Sequence, residues 1–366
     1  MGIFHPITRM EGEESPKKPV PKNLNPKLKG QLLGKKKKRQ SASAYMKGIL
    51  QSDRILLGQA ITLIESARTE HQQLAREVVE KCLPHSGQSI RLGITGPPGV
   101  GKSTFIEAFG LHLIEQGHRV AVLAIDPSSQ LSKGSILGDK TRMAKLSASD
   151  EAFIRPTPAG KSLGGVARYT RESIILCEAA GFDVIIVETV GVGQSEIAVH
   201  SLVDCFLLLL LPGAGDELQG IKRGIVEMAD LLAVNKADED RLAMAKKTRR
   251  AYRNALHLFP PKKSRWTPKV HTCSALTSAG IPEIWTAVQQ FQAFTQENNH
   301  WQNNRKEQAR YWLYESVNQQ LQTAFFHNVE VKNQLKAIEK AVIEGKLSSF
   351  AGAAKLMACF FDQNPK

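Results

Sequence analysis

The stretch "GPPGVGKST" at 96–104 sets Gly96, Gly101, Lys102 and Ser103 at the spacing G-x-x-x-x-G-K-[ST]. That spacing suits a triphosphate. Glycines let the backbone curl until successive N–H groups face an anion. Lys102 is placed to reach the β- and γ-phosphates, and Ser103 to put its hydroxyl on Mg2+. Pro97, Pro98, Gly99, Val100 and Thr104 complete the loop.

Further on, "AVNKAD" holds Asn235, Lys236 and Asp238 in the pattern N-K-x-D. An aspartate there can accept from N1–H and from the exocyclic amine of guanine. Adenine offers neither donor, so Asp238 would be left unpaired against it. The aliphatic stem of Lys236 can cover the base. "CSAL" brings Ser274, Ala275 and Leu276 as a source of a backbone N–H for guanine O6. The ligand expected is therefore GTP, with GDP as product.

Carboxylates come next. Glu188 begins an E-x-x-G run ending at Gly191, whose N–H suits a γ-phosphate; Glu188 itself can hold a magnesium-bound water or orient the attacking one. Asp126 in "AIDPSS" is a candidate for the magnesium shell. In "GSILGDKTRM", Asp139 is expected to approach magnesium and Arg142 a phosphate. Asp216 and Lys222 lie in "GAGDELQGIKRG", a glycine-rich segment that reads as another switch. Glu196 and His200 are four apart and can share a helix face, but two ligands without a third are a poor metal site.

These residues need a scaffold that gathers them. "RLGIT" (91–95) reads as a strand before the phosphate loop, and 105–116 as the helix after it, closed by Gly117. Apolar runs at 119–126, 182–191, 204–213, 230–238 and 269–275 each stop at polar or glycine residues. Strands alternating with helices predict an α/β fold with a mostly parallel central sheet flanked by helices. In such sheets ligands bind at the C-terminal strand ends, where all of these motifs fall. Residues 41–82 and 292–366 have helical periodicity. The expected organisation is a basic, disordered head (1–44), an N-terminal helical extension (45–85), a nucleotide-binding domain (86–290) and a C-terminal helical region (291–366).

Composition bounds the setting. The 366 residues have a net charge of +14, and residues 1–47, with twelve Lys/Arg against three Glu, hold most of the excess. This head reads as a solvated tail. No apolar run reaches membrane-spanning length. Five scattered cysteines without a C-x-x-C fit a reducing compartment, and the head lacks an apolar core or an arginine-rich presequence, so the cytoplasm is expected.

Together, "GPPGVGKST", "AIDPSS", "GSILGDKTRM", "VETVGVGQSE", "GAGDELQGIKRGIVEMADL" and "NKAD" closely resemble the MeaB/ArgK family of P-loop GTPases, from about residue 45 to at least 320. "RKEQARYWLYE" (305–315) looks like its C-terminal helical segment. "QLSK" (130–133) stands where the family usually shows a Thr-Arg-Thr-Gly-like stretch. The resemblance implies a P-loop NTPase fold of the SIMIBI-class G domain with helical extensions, and a homodimer through the C-terminal region. It also implies a GTP-hydrolysing chaperone of an adenosylcobalamin-dependent acyl-CoA mutase, chiefly methylmalonyl-CoA mutase, that gates cofactor loading and protects the mutase from inactivation. Slow hydrolysis would be speeded by the partner. Carried over, Lys102 and Ser103 hold phosphate and magnesium, Asp126 and Asp139 belong to the magnesium environment, and Glu188 is the switch acid of hydrolysis. Asp216 and Lys222 belong to a third switch facing the mutase, and Asn235 and Asp238 read guanine.

Three alternatives remain at this point. A metal-inserting GTPase would carry His-rich or Cys/His stretches, a small-molecule kinase an acceptor pocket and base. A nucleic-acid or membrane scaffold would act through the basic head.

Overall fold

The computed structural model describes residues 40–66, 68–126, 143–158, 163–189, 195–213 and 223–361, and Ala42–Lys366 form one compact unit. Three helices open it: α1 (Ala42–Leu50), α2 (Arg54–Glu65) and α3 (Thr69–Cys82). The helical periodicity of 41–82 is thus divided among three helices. Ser52 turns with φ 63°, and Asp53 caps α2 by accepting from Ile55 N at 2.8 Å and Leu56 N at 3.0 Å.

From here strands and helices alternate. β1 (Ile90–Thr95) leads to α4 (Lys102–Glu115), then β2 (Val120–Asp126), the short α5 (Ala144–Ser147), β3 (Ala152–Pro158) and α6 (Leu163–Ala179). β4 (Val184–Thr189), α7 (Ser195–His200), β5 (Cys205–Leu210), α8 (Arg223–Met228), β6 (Leu231–Val234), α9 (Leu242–Leu256) and β7 (Lys269–Thr272) follow. The chain ends in α10 (Ile281–Glu297), α11 (His300–His327), α12 (Val329–Ile343) and α13 (Ser349–Phe361).

The seven strands form one sheet in the order β3-β2-β4-β1-β5-β6-β7, and every neighbouring pair is parallel. Sequence reasoning missed β3. Its "AFIRPTP" carries two prolines, which cannot donate to a ladder, and the sheet tolerates them because β3 is an edge strand.

Alternate strand residues feed two cores. On one face Leu92, Ile94, Ile186 and Leu207 pack with Phe105 and Phe109 of α4 and with Trp285 and Phe291 of α10. On the other, Leu123, Ile185, Val187 and Phe206 pack with Ile174 and Cys177 of α6 and with Ile49, Leu57, Ile61 and Val78 of the first three helices. Beyond β5 a third cluster joins Leu208, Leu232 and Val234 to Ala245 and Tyr252 of α9. This two-sided burial explains why the strands read as unbroken apolar runs. Among the described residues no helix is long and apolar enough to cross a membrane.

At the opposite end of the sheet from the motifs, an ionic network ties α11 to the strand starts. Arg305 grips Asp204 with Nε (2.7 Å) and Nη2 (2.6 Å), and also donates to Ser89 O and Gly87 O. Asp204 accepts from Arg91 N, and the Arg91 guanidinium pairs with Glu178.

Candidate functional site: a nucleotide pocket at the strand ends

β1 ends at Thr95 and the chain turns at once through Gly96–Gly101 into α4. The turn depends on missing side chains. A Cβ at Gly96 would lie 2.7 Å from the Leu209 carbonyl oxygen of β5, and Gly101 has φ 90°. α4 therefore starts with its free N–H groups at the mouth of the loop, where an anion is favoured. Lys102, its first residue, folds back over the loop: Nζ donates to Gly96 O at 2.8 Å and Pro97 O at 3.3 Å. Burial lowers its pKa, and the nearby charges of Glu188 and Glu196 oppose that shift.

Glu188 lies near the end of β4, in register with Ile94 of β1 and Ala124 of β2. It is half-buried, and its charge acts on Lys102. One residue on, Thr189 Oγ1 donates to Thr95 Oγ1 at 2.8 Å, and both are buried. Sequence reasoning missed this clamp between the two strand ends, because nothing local marks either threonine.

Beside the phosphate loop lies the β6–α9 turn. Asn235 is buried and braces three loops: Nδ2 donates to Val100 O at 2.9 Å, and Oδ1 accepts from Ala275 N at 3.1 Å. The Cys273 thiol also points at Oδ1, and burial pushes its pKa up to about 12, so it stays protonated. Ser274 Oγ donates to Asp238 Oδ1 and accepts from Thr277 N. A hydroxyl thus orients the carboxylate expected to read guanine. Lys236 has φ 58°, and a Cβ on Gly101 would be 3.8 Å from its Cε, so the stem runs along the end of the phosphate loop. Leu276 is exposed at the rim.

The structure thus brings Gly96 to Thr104, Glu188, Asn235, Lys236, Asp238, Ser274, Ala275 and Leu276 to one end of the sheet. For Asp126 only the backbone is described, at the end of β2. Asp139, Arg142, Gly191, Asp216 and Lys222 lie outside the described residues, as does the head through residue 39.

Glu196 and His200 share α7 but not surroundings. Glu196 is buried, its Oε2 has no hydrogen-bond partner among the described residues, and its charge acts on Lys102. His200 stands edge-on to Phe206, and burial lowers its pKa while Asp230 opposes. The site residue that sequence reasoning undervalued is therefore Glu196. Its signal was a carboxylate eight residues past Glu188 on a short helix leaving the same strand. Among the described residues no three metal-ligating side chains cluster.

The family described as methylmalonyl Co-A mutase-associated GTPase MeaB matches residues 57–330, from α2 into α12 and including the whole sheet. The chain belongs to the MeaB family. GTPase ArgK of Escherichia coli is 45% identical over 306 residues, covering 84% of this chain and 92% of its own. The mitochondrial methylmalonic aciduria type A homolog of Mus musculus is 43% identical over 323 residues, covering 86% of this chain and 78% of its own. A crystal structure titled LAO/AO transport system kinase superposes with a TM-score of 0.69 at 38% identity, covering 88% of this chain and 98% of that one. MeaB/ArgK membership fixes the fold as that of a P-loop GTPase, which implies that the chain binds a guanine nucleotide.

Proposed function

We propose that the chain hydrolyses GTP to GDP and phosphate with Mg2+, and that the nucleotide state governs its action on an adenosylcobalamin-dependent acyl-CoA mutase. Methylmalonyl-CoA mutase is the first candidate. The observation that carries the guanine reading is the Ser274-oriented carboxylate of Asp238, set beside a phosphate loop that Asn235 braces. The client reading rests on the family description and on the names of the relatives.

In this reading Lys102 exchanges the loop carbonyls for the β- and γ-phosphates. The donors available for the metal are hard oxygens: the Ser103 hydroxyl with Glu188, Asp126 and Asp139. That set fits magnesium. Bound there, the ion would neutralise charge on the β- and γ-oxygens. Glu188 orients water, and Gly191 N–H and Arg142 meet the γ-phosphate. Asp216 and Lys222 relay the nucleotide state to the mutase, whose cofactor loading is gated and whose inactivation is prevented. A homodimer through the C-terminal helices and a cytoplasmic setting complete the proposal. The Cys/His clustering that a metal-inserting GTPase would need is not found among the described residues.

The test is GTP turnover by the purified chain with and without methylmalonyl-CoA mutase from the same source. A slow basal rate that rises with the mutase supports the client reading. A rate indifferent to it redirects the search to another acyl-CoA mutase. No turnover under either condition removes the hydrolase reading.

A further inference from the structure

Helix α9, "LAMAKKTRRAYRNAL", contains no acidic residue. Its inner face buries Ala245, Thr248 and Tyr252. Lys246, Lys247, Arg249, Arg250 and Arg253 are exposed on the remaining arc. Among the described residues no carboxylate pairs with any of the five, while the mostly buried cations Lys262 and Arg305 pair with Asp230 and Asp204. Like charges stand at i,i+4 (Lys246 with Arg250, Arg249 with Arg253) and at i,i+3 (Lys246 with Arg249, Lys247 with Arg250, Arg250 with Arg253). Each such pair weakens a helix. A face kept only for solvation would mix signs. The field reaches the sheet edge too: burial, then Lys269 and Arg249, lower the His271 pKa, with Glu283 opposing. Among the described residues the Lys269 ammonium bonds the neutral Gln290 amide and lies over Trp266.

α9 is also fastened to the root of a segment read as a switch. Gly213 N donates to Thr248 Oγ1 at 3.0 Å, and a Cβ on Gly213 would lie 3.1 Å from Met244 Sδ. Gly213 opens the run containing Asp216 and Lys222. The same N-terminal half of α9 follows Asp238 of the base-reading turn by a few residues.

We propose that the basic face of α9 is the docking surface for an acidic patch of the client protein. The inference rests on the client reading above. A protein is the occupant favoured by the observations. No exposed aromatic stands among the five cations to stack bases. Ala245 and Tyr252 of α9 are spent in the core, leaving only Leu242 and Met244 exposed at its start, too little apolar face to seat the helix in a bilayer interface. An acidic client face would relieve the like-charge repulsion, and contact there would bear on Thr248 and so on Gly213.

The test uses full-length chain with Lys246→Glu, Arg250→Glu and Arg253→Glu combined, and a second variant with Gln at the same positions. Binding to methylmalonyl-CoA mutase is measured at low and physiological salt, with GTP affinity and basal turnover as controls. For the wild type, affinity should fall as salt rises. Both variants should bind at least about tenfold more weakly and lose most of that salt dependence, with the nucleotide controls unchanged. Wild-type binding that the variants match would overturn the docking surface and leave the client reading intact. No wild-type binding in either nucleotide state would remove methylmalonyl-CoA mutase as the client, and this occupant with it. Binding to a single-stranded oligonucleotide or to phosphatidylserine vesicles that the variants lose, with mutase binding unaltered, would overturn the acidic-protein occupant.

Discussion

At the residue scale the pocket divides into groups that would touch the nucleotide and groups that hold them. Lys102 is of the first kind: its ammonium already sits on the carbonyls of the loop that would carry phosphate. Lys102→Ala is expected to lower GTP turnover about 10²–10³-fold, or about 3–4 kcal/mol of transition-state stabilisation. Steady-state phosphate release reads this directly, and full turnover would refute the assignment. Asp238 is expected to switch base preference. Asp238→Asn puts a donor where guanine needs an acceptor, so competition binding should show GTP weakened and xanthosine triphosphate gained; an unchanged guanine preference would place base reading elsewhere. Asn235 belongs to the second kind, since its amide is used up between Val100 and Ala275. The motif letters were legible because chain neighbours made them so. The bracing role of Asn235, the Thr95–Thr189 clamp and the buried charge of Glu196 acting on Lys102 were not, because each joins residues that only the sheet brings together.

At the element scale, caps and anchors decide where helices begin and how they dock. Asp53 stops α1 from running into α2, and its carboxylate satisfies two N–H groups of the next turn. Asp53→Ala should lower stability by about 1 kcal/mol in denaturant unfolding, with nucleotide affinity unchanged. Arg305 is a stronger case. It joins α11 to the starts of β1 and β5, and its partner Asp204 is 1% exposed at the side chain. Arg305→Ala leaves that carboxylate short of its main partner, so a loss of about 3 kcal/mol is expected in the same measurement. Five of the seven strands announced themselves as apolar runs and β1 by the phosphate loop after it; β3 did not, because edge position, which sequence does not state, is what licenses its prolines.

For the whole molecule, the helices after the sheet leave large apolar side chains in solvent: Leu313, Tyr314, Val317 and Leu321 on α11, and Phe350 and Met357 on α13. The proposed homodimer would cover such a surface. Light scattering should give twice the 40.3 kDa chain mass, and Leu313→Glu with Leu321→Glu should return it to that mass. What the amino-acid sequence determined alone was local: the phosphate loop with its strand and helix, the N-K-x-D turn, the alternating runs that call for a parallel α/β sheet, and the resemblance those motifs carry. Each is read from local runs of sequence taken one after another, without any contact between them. Tertiary structure decided the rest: the strand order that sets β4 and β5 on either side of β1, the hydroxyl that orients Asp238, and the basic helix that lies one hydrogen bond from Gly213. Those relations join residues far apart in the chain, and only the packing of both sheet faces sets their distances.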